Sequence, residues 1–255
     1  MKHVWILMLV ALCTGCSTVS RDRDTIYQVS TLQALMAGAY DGNASLKELR
    51  RHGDFGIGTF HALNGEMVVS EGKFFQVRSD GKVYRPKSTE LSPYANLTYF
   101  EKDLSYILPR GTTFDQLKVL VDAGLPTTNL PYAIRLAGKF SYVKTRSVPV
   151  QSKPYPPLAE VAKTQPVFEF TNRTGVLIGY RLPEYLAGVN MPGYHLHFLS
   201  AEKDAGGHLL DFVLGEGTVE VDVSPVLHIV LPETEEFSRA ATTGASKEDL
   251  HAAER

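Results

Sequence analysis

Cysteine is nearly absent from this sequence of 255 residues, and its two cysteines, Cys13 and Cys16, both lie near the start. The rest of the chain therefore offers no disulfide, no cysteine nucleophile and no thiolate ligand for a metal. An excess of charge is also lacking, because 26 basic residues stand against 28 acidic ones. This balance argues against nucleic acid or an anionic membrane as the partner, and it favours a small, neutral molecule.

Long hydrophobic runs are lacking as well. The apolar stretch 4–12 is too short to span a bilayer, but it follows a basic start and ends in small residues, which is the pattern of an export signal. Its end at Cys16 resembles the lipobox of bacterial lipoproteins. We expect residues 1–16 to be a lipoprotein-type signal, with Cys16 lipidated in the cell envelope, and residues 17–25 to be a polar tether. The alternative is an ordinary cleaved signal peptide that leaves a periplasmic or secreted protein.

The clearest chemical signal is a group of three histidines. His195 and His197 stand two apart in an apolar segment that predicts a β-strand, so their side chains share a face. The polar stretch 201–207 predicts a reversal, after which His208 opens a second strand beside the first. Three neutral imidazoles leave one position of a tetrahedral zinc ion (Zn²⁺) open for water or substrate. Two alternatives stay open: the histidines are structural, or Glu202 replaces His208 as a ligand, as in a cupin barrel.

Hydrophobic periodicity predicts an α+β fold. Residues 26–150 contain a helix capped by Ser30, a strand Phe55–Leu63 that reverses at Asn64–Gly65, and a long strand Tyr132–Ser147. This pattern predicts an N-terminal sheet subdomain covered by a few helices.

The second half of the chain reads almost entirely as β-structure. A connector rich in proline and lysine occupies residues 149–166, and two strands follow it, separated by a turn at Thr171–Thr174. We expect residues 151–255 to form a β subdomain that carries the metal site and makes one catalytic unit with the first half. The predicted fold is therefore two mostly antiparallel or mixed, half-barrel-like β-sheets with a few covering helices.

Two further charged residues could serve a site, but periodicity alone does not assign them. Glu66 directly follows the Asn64–Gly65 turn, and charged residues are common at hairpin ends, so the pattern favours a solvated turn residue. Arg146 reads in the same way as an arginine at the surface end of a strand.

Several segments together resemble the alpha-acetolactate decarboxylase family. They are Gly53–Phe60, Leu63–Met67, Thr145–Pro149, Gly188–Phe198 and Gly206–His208. The resemblance covers nearly all of the chain after residue 25. The block Pro-Gly-Tyr-His-x-His-Phe with the later Gly-Gly-His is specific to the family.

The resemblance implies a function and a set of site residues. It implies metal-dependent decarboxylation of 2-acetolactate to acetoin and CO2, with zinc bound by three histidines. These ligands carry over to His195, His197 and His208. The substrate-facing glutamate and arginine carry over to Glu66 and Arg146, and a glutamate near the C-terminus is best matched by Glu254.

This reaction makes chemical sense in a chain with no glycine-rich cofactor loop. Loss of CO2 leaves two electrons that must flow into the adjacent ketone, and a Lewis-acid metal can stabilise the negative charge that this places on oxygen. Three histidines suit zinc, although iron, cobalt or nickel would also be accepted. An exposed edge in a two-sheet protein favours a homodimer. The remaining alternatives are a cupin-like oxygenase or isomerase, and a non-catalytic exported lipoprotein.

Overall fold

The structure is a computed structural model that describes residues 23–241. The predicted export signal with Cys16, most of the predicted tether, and Glu254 lie outside the described residues. Within them, no helix is both long and apolar enough to cross a membrane.

Strands dominate the described chain. In order they are β1 (Thr25–Val29), β2 (Ala44–Ser45), β3 (Phe55–Thr59), β4 (Glu66–Ser70), β5 (Lys73–Val77), β6 (Val83–Tyr84), β7 (Leu91–Ser92), β8 (Ala95–Thr98), β9 (Leu104–Leu108), β10 (Tyr132–Arg146), β11 (Val167–Leu182), β12 (Gly193–Ser200), β13 (Gly206–Val223) and β14 (Val226–Val230). The helices are α1 (Leu32–Met36), α2 (Leu46–Leu49), α3 (Phe114–Gly124), α4 (Leu158–Ala162) and α5 (Glu235–Arg239). Short 3-10 helices lie at His61–Leu63 and Glu184–Leu186.

The first sheet has seven strands in the order β14-β1-β8-β3-β4-β5-β6. Its neighbours are antiparallel except for β14, which lies parallel to β1. The pleat sends Ile57 and Val68 toward the second sheet, while Met67 and Val69 pack on the opposite side. The sheet therefore has an inner face, and residues of that face can reach a site between the sheets.

The second sheet is antiparallel, with the order β10-β11-β12-β13-β9. Because β10 also pairs with β13 along most of its length, the strands β10 to β13 close into a ring. The predicted α+β class with two main sheets is confirmed. Strands from both sides of residue 150 enter both sheets, and the division of the chain there stays a prediction.

One predicted turn is wrong, and the predicted hairpin of β3 and β4 forms with a longer connection than expected. Thr171–Thr174 does not reverse the chain, because pairing with β10 continues through it on both sides of Asn172, which takes a positive φ of 53°. The predicted strand Phe55–Leu63 ends at Thr59, and a longer connection replaces the two-residue Asn64–Gly65 turn. Ala62 has a positive φ in this connection, which ends the extended backbone.

Helix starts are set by local hydrogen bonds. The first helix is capped by Thr31, whose hydroxyl accepts from Ala34 N at 3.2 Å, and the prediction of Ser30 as the cap is wrong by one residue. Ser30 has a φ of 65°, which directs the chain from β1 into the helix.

Candidate metal and active site

The three histidines come together on neighbouring strands of the second sheet. His195 and His197 alternate with Leu196 on β12, and His197 stands directly opposite His208 on β13. One ligand nitrogen from each lies within 4.8 Å of the others, and all three side chains are buried. Of the residues that the structure describes, this is the group that could hold a metal ion, and its convergence is what the sequence predicted.

Hydrogen bonding at His197 fits a metal ligand. Its Nδ1 lies 2.9 Å from the carbonyl oxygen of Met67, a distance at which a ring N–H donates to the carbonyl. That tautomer leaves the lone pair on Nε2, the usual arrangement for a ligating histidine. Nε2 is buried and has no hydrogen-bond partner among residues 23–241. A divalent cation in contact with this nitrogen would complete its coordination.

Burial keeps the imidazoles in the neutral form that binds metals. Removal from water, and then the nearby positive charge of Arg146, lower the pKa of His195 to about 3. Burial is also the main reason that the pKa of His197 lies well below its ordinary value, and His195 and Arg146 lower it further. The Met67 carbonyl acts in the opposite direction. Neither ring is protonated at neutral pH, so both lone pairs are available.

Glu66 faces the histidines from the first sheet. It opens β4, pairs with Thr59 and Val77 on its two neighbours, and is only 7% exposed. Because side chains alternate along a strand, Glu66 shares the inner face with Val68. Its carboxylate lies 3.6 Å from His197 Nε2. The sequence-based interpretation as a solvated turn residue is wrong, since the turn ends before Glu66 and strands flank it on both sides.

Arg146 is buried as well, at 3% exposure, although its position at the end of β10 suggested the surface. It stands opposite His208 on β13, and its guanidinium donates to Gln165 Oε1. The interpretation as a surface arginine is wrong because β10 is central and its end is covered by the connector that follows it. Arg146 therefore brings a permanent positive charge to the histidine site.

A small cavity of about 50 Å³ joins these groups. Histidines, Glu66 and Arg146 form its polar side. Its apolar side is formed by Leu32, Leu35, Leu63, Tyr94, Val148 and Leu158. Sequence reasoning missed this wall. The spacing of Leu32 and Leu35 signals a buried face of α1, but it does not say what that face covers.

A larger groove of about 1060 Å³ approaches the same site from another direction. His208 contributes to the walls of both cavities, and the segment Met191–Tyr194 lines the groove beside it. Arg181 and Tyr194 both bond Asp122 of α3 in this groove, at 3.1 and 2.8 Å. These bonds tie α3 to the start of the histidine strand.

The two remaining candidates for site residues are Glu202 and Glu254, and neither lies among the converging ligands of the described structure. Glu202 is exposed in the turn between β12 and β13, and it does not belong to the group of converging ligands, whereas His208 does. The cupin-like ligand set is therefore not the one that the fold assembles. Glu254 lies outside the described residues.

Fold and site together define a class: an α+β protein of two packed sheets with a buried three-histidine site suited to a metal ion. The profile of the family "Alpha-acetolactate decarboxylase" matches residues 26–243. A relative of that name from Methanosarcina mazei is 44% identical over 232 residues, which cover 91% of this chain and 81% of the relative. One from Bacillus subtilis is 40% identical over 215 residues, 84% of each chain.

A solved structure of the same family also matches this chain. The crystal structure of alpha-acetolactate decarboxylase from Bacillus subtilis strain 168 has a TM-score of 0.88 and 38% identity, and the match covers 90% of this chain and 99% of that one. The chain belongs to the alpha-acetolactate decarboxylase family.

Proposed function

We propose that this protein is a carboxy-lyase that decarboxylates 2-acetolactate to acetoin and CO2. The observation that carries the proposal is the convergence of three buried histidines with Glu66 and Arg146 around one cavity. Family relatives named alpha-acetolactate decarboxylase support the substrate.

The proposed metal ligands are His195, His197 and His208, and zinc is the proposed ion, with other divalent transition metals as alternatives. When bound, such an ion supplies a Lewis acid beside the keto and hydroxyl oxygens of the substrate. The hydrogen bond from His197 to Met67 O would orient one ligand ring, and burial would keep competing water out.

Arg146 is proposed to bind oxygen atoms of the substrate that carry negative charge. Its guanidinium is planar, permanently charged and already held in place by Gln165. A fixed donor of this kind stabilises charge that develops on oxygen without having to reorganise.

Glu66 is proposed to supply the proton that replaces CO2. When the bond to the carboxylate carbon breaks, its electron pair flows into the adjacent ketone, and the carbon left behind must then gain one proton. The Glu66 carboxylate lies 3.6 Å from His197 Nε2 and lines the same cavity, which supports its role as the donor to a substrate bound there. The apolar wall opposite excludes water, so that protonation comes from one side and gives chiral acetoin.

Glu254 stays a proposed second proton donor. The last described helix, α5, is tied to the segment before α4 by an ion pair between Glu236 and Lys153. Lys153 also bonds Asp41 at 2.6 Å.

The activity is tested by adding racemic acetolactate to the purified, zinc-loaded protein and measuring acetoin and CO2. We expect equimolar release of both products and loss of the activity after chelation, with recovery on adding metal. Metal-loaded protein that releases neither product would contradict the function. Consumption of oxygen without acetoin would instead favour the oxygenase alternative.

Export and lipidation at Cys16 are proposed from the sequence. The test is a cell fractionation of the full chain with a matched Cys16→Ser variant. We expect the wild-type chain in the membrane fraction with an incorporated fatty acid, and the variant without either. A wild-type chain that remains in the cytoplasm would contradict export.

A homodimer is also proposed, through the exposed edge of the second sheet. The edge strand β9 carries Ile107, which is 86% exposed, and Val119 of α3 is 69% exposed. Sedimentation equilibrium of the wild-type chain and of Ile107→Lys tests this. A dimer is expected for the former and a monomer for the latter, and a wild-type monomer at all concentrations would contradict the proposal.

A further inference from the structure

The loop that leads into the histidine strand is held by a buried amide. Asn190 is 2% exposed and lies shortly before β12. Its Nδ2 donates to Gln28 Oε1 and to Asn96 Oδ1, both at 2.7 Å. Its Oδ1 accepts from the Tyr94 hydroxyl at 2.8 Å and from Met191 N at 2.7 Å. Both ends of the amide are therefore fully engaged.

An amide is the group that this position requires. The two groups facing Nδ2 are acceptors, and the two facing Oδ1 are donors. Gln28 cannot turn over to compensate, because its own Nε2 already donates to Ser30 O and Val189 O at 2.8 Å. Asn96 can turn over, because its Nδ2 has no hydrogen-bond partner among the described residues. A carboxylate in place of Asn190 would still meet the Gln28 oxygen with no proton to offer it, which is costly inside a protein.

The same loop fixes the first helix. Leu32 N donates to Val189 O and Gln33 N donates to Gly188 O, both at 2.9 Å. Leu32 and Leu35 of this helix form part of the apolar cavity wall. The backbone next to Asn190 thus determines where that wall stands.

Tyr94 connects the amide to the cavity directly. Its ring lines the cavity, and its hydroxyl points to Asn190. The residues bonded by Asn190 come from β1, β8 and the segment before β8, whereas Asn190 itself leads into the strand with His195. One side chain therefore joins the inner face of the first sheet to the strand that carries two of the proposed ligands.

We infer that Asn190 is a positioning residue for the reaction, which rests on the proposed function. Its amide sets the distance between the apolar wall, formed by Tyr94 and α1, and the histidine strand. Loss of the amide loosens the cavity on its apolar side. The substrate is then held less closely against Glu66 and Arg146, while the ligand histidines, fixed by strand pairing, keep their metal.

The experiment compares Asn190→Asp, Tyr94→Phe and the double variant with wild type. Asn190→Asp keeps the size of the side chain, and Tyr94→Phe keeps the ring and removes one hydrogen bond. We expect KM for acetolactate to rise about tenfold in the first and about threefold in the second, with wild-type metal content in both. The double variant should show less than the product of the two effects, because both act through one network.

A matched control separates positioning from loss of stability. Val219→Ala truncates a fully buried side chain in the core of the second sheet, away from the cavity lining. It should lower Tm without changing KM. An unchanged KM in both Asn190→Asp and Tyr94→Phe, with kcat falling only as far as in this control, would overturn the inference. If Asn190→Asp fails to fold, the KM of Tyr94→Phe decides alone.

A readout independent of catalysis keeps the two proposals distinguishable. Amide exchange at Leu32 and Gln33 should speed up about tenfold in Asn190→Asp, since these two amides donate to the loop carbonyls of Val189 and Gly188. Exchange unchanged at both sites would contradict the inference even if the enzyme is active. A wild-type protein with no decarboxylase activity but faster exchange in the variant would contradict the proposed function and support the network.

Discussion

Glu66 shows how far a single residue can depart from what its neighbours in sequence suggest. It follows an Asn-Gly pair, yet it is buried beside His197 because the first sheet continues on both sides of it. An ionisable group in such a position, next to three histidines and an arginine, is a candidate for proton transfer.

Replacement of Glu66 tests this role. Glu66→Gln keeps the shape of the side chain but removes its transferable proton, so kcat should fall at least about a hundredfold, within the range typical of general acids. Metal content should remain at the wild-type level. The matched control is Glu202→Gln, which changes an exposed glutamate and should leave kcat unchanged. Steady-state kinetics with metal analysis provide the measurement, and normal turnover in Glu66→Gln would remove the assignment.

Removal of a ligand should act differently from removal of an acid. His197→Ala takes away the most buried imidazole of the group, so we expect loss of bound metal and of activity together. His228→Ala, which changes an exposed histidine on β14, should retain both. Metal content measured after dialysis distinguishes them. Full metal binding and activity in His197→Ala would contradict the ligand set.

Among the elements, β12 depends most on the strand beside it. Gly179 of β11 pairs with Leu196, and a Cβ atom at this glycine would lie 1.9 Å from the carbonyl oxygen of His195. No side chain fits between these strands unless the histidine strand moves away. The close approach of β11 therefore positions the metal site through the backbone.

Gly179→Ala should consequently destabilise the fold by about 2–4 kcal/mol and weaken metal binding. The control is Gly215→Ala on β13. An added Cβ atom there would lie 3.1 Å from its nearest neighbour, Lys139 O, so the loss of stability should be smaller. Urea unfolding and metal titration measure the two effects. A Gly179→Ala protein as stable as wild type, with unchanged affinity for metal, would contradict the claim that the close approach of β11 positions β12.

At the scale of the whole molecule, the two sheets are joined through exchanged strands and a buried acid. Asp222, at the end of β13, is fully buried and accepts a hydrogen bond from Glu101 N at 3.1 Å. Burial, and then the nearby carboxylates of Asp103, Asp24 and Glu101, raise its pKa to about 7. The folded protein therefore holds a proton at Asp222 that the unfolded chain releases near pH 4.

This difference predicts how stability depends on pH. Because the folded state binds the proton more tightly, the contribution of Asp222 is fully present below about pH 4 and is lost as pH rises toward 7. Asp222→Asn has no such titration. Its free energy of unfolding, relative to that of wild type, should therefore rise by about 2–3 kcal/mol between pH 5 and pH 7. The control is Asp211→Asn at an exposed position of the same strand. Parallel pH profiles of wild type and Asp222→Asn in urea unfolding would contradict the assignment.

Local patterns in the sequence determined the elements and the chemistry they carry. Alternation of apolar residues with a glycine-rich reversal was enough to place His195, His197 and His208 on adjacent strands, because strand periodicity sends i and i+2 to one face. The long strand predicted at Tyr132–Ser147 followed from the same rule. These features depend on short-range geometry, which neighbouring residues carry.

Only the tertiary structure decided which faces meet. The burial of Glu66 and Arg146, the apolar wall from α1 and α4, and the amide of Asn190 all depend on contacts between residues far apart in the chain. The Thr171–Thr174 turn failed for the same reason, since pairing with β10 overrode a local preference. Side-chain burial is a property of two surfaces in contact, and periodicity describes one surface at a time.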